Sequence, residues 1–163
     1  MDKELNELLA ELVELYTQEQ SICQEILRIS QKLKQATIEG TKLDSLLSKR
    51  AEELERINEL ESKIDQLKEL IAGKLDLTVD KELIPELLQL DIPYQFQLQE
   101  VITENIKLVH QIQELDEKIK EELAIRQREI KSELLKLKQG SNLNNSYHQQ
   151  PSYNEGKFID EKN

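Results

Sequence analysis

An all-α fold, an antiparallel helical hairpin plus a short lid helix and a long third helix, is predicted by three features of this 163-residue chain. The first is spacing. Leu5, Leu8, Leu12, Leu15, Ile22, Ile26, Ile29 and Leu33 recur every three or four residues, interrupted only at Glu19, which lays one apolar stripe along a helix. The second is composition: 34% of residues are charged, 4% are aromatic and Gly is used only 4 times, a balance rich in helix formers and poor in strand and turn formers. The third is punctuation, with Gly40, Gly73, Pro93 and Gly140 cutting the periodic text into segments. The expected architecture is an elongated three- to four-helix coiled-coil-like bundle over 1–140 with a disordered C-terminal tail, 141–163.

The first helix is expected over 3–38, with Lys32 and Lys34 in its last turns and Gly40 as its stop. Thr41 and Asp44 have the spacing of a capping box for the second helix, 42–72, so the first two helices fold back on each other as a hairpin. The second helix carries Leu43, Leu47, Leu54, Ile57, Leu60, Ile64, Leu67 and Ile71, with Glu52/Arg56 and Glu59/Lys63 as i,i+4 pairs on its wetter side. Residues 74–92 are too apolar for a solvated linker. Leu83, Ile84, Leu87 and Leu88 need cover, and Pro85 suits the first turn of a short helix over 81–90, read as a lid across one end of the hairpin.

Pro93 opens the third long helix, 93–139, in which Leu98, Ile102, Val109, Ile112, Ile119, Leu123, Ile130, Leu134 and Leu137 keep one face apolar. At 1.5 Å per residue it would reach about 70 Å against about 54 Å and about 48 Å for the first two, so its far end overhangs or bends back. Leu123, Ile130, Leu134 and Leu137 are therefore the candidate partner-binding residues. The commoner fate of such a stripe is packing on the hairpin or forming a homodimer seam, and both stay open here. Asn105 and Asp116 lie beside the stripe, where they either make buried, register-fixing hydrogen bonds or face water. The tail holds Tyr147, Tyr153 and Phe158, three of the six aromatics, which suits docking anchors.

A net charge of −11 and the lack of a basic stripe argue against nucleic acid as a partner. No segment approaches the roughly 18 unbroken apolar residues of a membrane span, and the first residues have neither a basic nor an apolar leader region, so a cytoplasmic location without membrane insertion is expected. No catalytic, cofactor-binding or metal site is expected either. The Glu-x-x-His pairs of a bundle metal site are missing, His110 and His148 read as solvated or interfacial, and Gly40-Thr41-Lys42 lacks the upstream Gly and the residue order of a phosphate loop. Cys23, the only cysteine, reads as a small buried hydrophobe.

Most of the chain resembles the bacterial flagellar type III export chaperones. Helix 1, the Ile38-Glu39-Gly40 turn with Leu43 and Leu46-Leu47, and Leu83-Ile84-Pro85-Glu86-Leu87-Leu88 are similar to the FlgN pattern. Leu115-Asp116 through Ile119, Leu123, Arg126, Ile130 and Leu134 into Tyr147 is closer to FliT, and Tyr153, Gly156, Phe158, Ile159, Asp160 and Lys162 are similar to tails of both groups. The resemblance implies a non-enzymatic cytoplasmic chaperone. Its partners would be an axial protein, either the filament cap or a hook-filament junction protein, and components of the export apparatus. One mechanism fits both the residues and the resemblance: an amphipathic cargo helix completes a bundle beside the third long helix, with the tail competing for the same groove. The rival reading is a structural coiled-coil or stalk protein with no chaperone activity.

Overall fold

Asp2 starts the first helix by accepting the backbone N–H of Glu4 on its side chain at 3.2 Å, satisfying one of the donors that a helix start leaves unpaired. This helix, α1 (Lys3–Glu39), runs 37 residues and stops at Gly40, whose φ of 71° is left-handed. Gly tolerates that conformation without a Cβ clash, and the Thr41 N–H then bonds the Ala36 carbonyl at 3.0 Å, the six-to-one bond of a Schellman ending. The computed structural model describes residues 2–148, with side chains described through 141.

α2 (Asp44–Leu75) returns antiparallel along α1. The expected capping box does not form: Leu43 occupies the N-cap, and the Thr41 hydroxyl donates back to the Ala36 carbonyl at 3.4 Å instead. The Gly40 turn consumes Thr41 before it can serve the next helix. Nor does α2 end at Gly73, which costs about 1 kcal/mol relative to Ala inside a helix and is tolerated there. The helix continues to Leu75 and repeats the Schellman ending with Asp76 at φ 53° and the Leu77 N–H on the Ala72 carbonyl at 2.9 Å. On its surface Arg56 pairs with Glu53 at 3.0 Å, three residues back, and not with the expected Glu52 four residues back. Lys74 ties the open end of the hairpin together, reaching Glu4 at 2.7 Å and Asp2 at 3.2 Å.

α3 (Leu83–Gln89) is the expected lid, with Pro85 in its first turn. Leu83 and Leu87 are fully buried, and with Ile92 they close a core built from Leu5, Leu9 and Leu12 of α1 and Leu67 and Ile71 of α2. α4 (Gln95–His148) adds Leu98 and Val101 to the same core. It begins two residues after Pro93 because Tyr94 adopts a left-handed φ of 64°, which breaks helical continuity before Gln95. A smaller cluster near the Gly40 turn joins Ile29 and Leu33 of α1, Leu43 and Leu46, and Ile119 of α4.

The described residues separate into two units, with the boundary between Lys120 and Glu121. α4 runs to His148, eight residues beyond the expected stop at Gly140. A glycine with open space around its Cα position obstructs nothing, and the helix passes through it at an entropic cost alone. The remainder of the segment expected to be disordered, 149–163, lies outside the described residues. No helix among the described residues is long and apolar enough to cross a membrane.

Candidate functional site

In the second unit, Leu123, Ile130, Leu134 and Leu137 follow one another at intervals of seven, four and three residues, which places them on one helical face. All four are open to solvent, at 43%, 56%, 56% and 70% exposure. Arg126 and Gln127 hold the positions of this face between Leu123 and Ile130, so the row is continuous only from Ile130 to Leu137. Ile125 and Leu135 are also exposed but fall off this row. Of the other candidates, Tyr147 belongs to α4 but its side chain is outside the described part, and Tyr153 and Phe158 lie outside the described residues altogether.

The first unit carries two polar centres that the sequence marked without resolving. Asn105 is buried, at 4% exposure, and its Nδ2 donates to the Tyr16 carbonyl at 2.9 Å, joining α4 to α1. Its Oδ1 has no partner. Asp116 accepts from Arg50 at 2.7 Å, joining α4 to α2, with both side chains half-buried. Both residues thus take the interhelical role and not the solvated one, fixing α4 against the hairpin by two specific bonds.

Asn105 also lines a groove of about 280 Å³ between α1 and α4, walled by Tyr16, Ile102, Ile106 and Val109. Glu19, the one polar break in the stripe of α1, sits in this groove. Burial pushes its carboxyl above the usual range, and the nearby Glu61 carboxylate adds to the shift; Lys68 and the Asn105 amide pull the other way. Sequence spacing flagged Glu19 as an exception, yet nothing in one dimension revealed that Asn105 would stand against it.

Cys23 is buried, and its thiol is pushed up to about 11 by burial first and by Glu19 and Glu61 second, which keeps it protonated at neutral pH. Among the described residues no group of three His, Cys, Asp or Glu side chains is placed to hold a metal ion. Comparison with protein-family models, curated proteins and solved structures gives no match for this chain.

Proposed function

We propose that this protein is a cytoplasmic helix-binding escort that takes up an amphipathic helix of a flagellar axial protein, the filament cap or a hook-filament junction protein, and carries it to the type III export apparatus. The observation that carries the docking part is the exposed Leu123, Ile130, Leu134 and Leu137 row. The choice of cargo rests on the resemblance to the FliT and FlgN types alone.

The energetics are adequate for a releasable complex. Finishing the burial of four half-exposed aliphatic side chains contributes roughly 1 kcal/mol each, and four fully buried anchors on the cargo helix about 2 kcal/mol each, about 12 kcal/mol in all. Subtracting about 4 kcal/mol, the low end of the association cost, leaves micromolar binding. Escort proteins need that range, tight enough to shield an aggregation-prone helix and loose enough to surrender it. The folded lid favours this reading over a stalk, since a rod built only to span distance gains nothing from Leu83 and Leu87 closing a hairpin end.

The test is a pull-down with the full chain from a flagellated bacterial lysate, probing cap and junction proteins separately. Enrichment of one of them supports the escort role. Retention of neither, with the protein instead forming stable rods of its own, supports the stalk.

A further inference from the structure

The groove of the first unit combines features that the escort reading does not use. Ile102, Ile106, Val109 and Gln113 line it at intervals of four, three and four residues, so its α4 wall is a ridge at helical spacing. Ile106 and Val109 are 54% and 40% exposed. Set among them are the half-buried Glu19 carboxyl and the buried, unpartnered Oδ1 of Asn105. Lys68, the cation felt by Glu19, makes its own ion pair with Asp65 at 3.9 Å. A half-buried carboxylate beside Glu61 is unfavourable in the free chain, and a visiting cation would reverse that cost.

We propose that this groove is a second docking site, and that its occupant is a partner's amphipathic helix carrying one Lys or Arg within its apolar face, the cation resting on Glu19. Charge complementarity selects that occupant: the chain is acidic overall, at −11, and of the side chains that line the groove, His110 among them, Glu19 brings the one carboxylate, set beside an apolar ridge. A Lys or Arg side chain is suited to such a place because its methylene stem packs on Ile102, Ile106 and Val109 while its head reaches the carboxylate. Asn105, bonded to the Tyr16 carbonyl, also bonds the Glu19 carboxyl through its side chain.

The probe is a synthetic Leu/Ala helix of about 18 residues with a single Lys in its Leu face, beside a twin with Gln in place of that Lys, titrated into the full chain at physiological salt. The Lys peptide should bind about tenfold more tightly than its twin, the worth of one desolvated charge-assisted hydrogen bond. That preference should vanish in Glu19→Gln while the variant melts no lower than wild type, an outcome that a merely structural Glu19 would not produce. It should survive in Glu100→Gln, an exposed site that controls for diffuse charge. Ile106→Ser should weaken both peptides. Equal binding of the two peptides to wild type, persistence of the preference in Glu19→Gln, or its loss in Glu100→Gln would overturn the site. Binding abolished by Leu134→Glu but untouched by Ile106→Ser would overturn it too, while leaving the row in the second unit intact as the docking face.

Discussion

Replacing Asn105 by Leu should make the protein more stable, against the usual trend for buried substitutions. Asn105 makes one described side-chain bond to backbone, Nδ2 to the Tyr16 carbonyl at 2.9 Å, and leaves Oδ1 buried without a partner. The orphaned acceptor costs about 1–3 kcal/mol, whereas the bond that would be lost is worth about 1 kcal/mol net. Losing it strands nothing, because Tyr16 lies in the interior of α1, where its carbonyl also accepts an i+4 N–H. Leu adds apolar contact beside Ile102 and Tyr16, and the adjoining groove gives its extra volume room. Discounting for the hydrogen bond that Glu19 receives from Asn105, the net expectation is a gain of about 1 kcal/mol, or roughly 2–4 °C in melting temperature. Urea denaturation followed by far-UV circular dichroism, with an unchanged m-value, measures it directly. A loss of more than about 1 kcal/mol would show that the Asn105 bond to Tyr16 carries more than its net worth, and the reasoning would fail.

Asp76→Gly should raise stability by about 0.5–1 kcal/mol, because Gly accepts the left-handed φ of 53° without penalty and the change removes a negative charge from a helix C-terminus; no change in the urea midpoint would count against it. The Cys23 thiol should alkylate roughly a hundredfold more slowly in the native protein than in urea at the same neutral pH, followed by mass spectrometry; equal rates would contradict its burial and raised pKa. Glu19 has a raised folded pKa, so its contribution to stability is fullest at acid pH and declines as pH climbs through the carboxylate range. Glu19→Gln should therefore melt higher than wild type at neutral pH, with the gap closing on acidification. A gap independent of pH would mean that the carboxyl is not desolvated.

Much of the fold is legible because helical periodicity is local information. The stripe of α1 and its stop at Gly40 need no knowledge of the rest of the chain, and the apolar surplus of 74–92 forces a lid wherever the hairpin ends. Boundaries were less legible where glycine is ambiguous. At Gly73 and Gly140 the helix continues, since neither position demands a left-handed turn; at Gly40 it stops, because φ there is 71°. What ends α2 is Asp76, a residue that needs the Schellman geometry before it reads as a stop. The Leu123 to Leu137 row in the second unit is visible as spacing, and the greater length expected of its helix points to its exposure. The groove at Glu19 depends on which residue of α4 faces which residue of α1, a pairing set by packing and absent from any periodic pattern.

The central claim is that the Leu123 to Leu137 row is a docking face and not part of a core. Leu134 is 56% exposed, so Leu134→Glu should cost only about 0.5 kcal/mol and leave the melting temperature within roughly 2 °C of wild type. Calorimetric titration of the helical terminal segments of the cap and junction proteins into wild type and Leu134→Glu tests the claim most directly. The account predicts that one segment binds wild type with micromolar affinity and the variant at least about tenfold more weakly. Equal affinity for the two proteins, or a variant that unfolds, would contradict it.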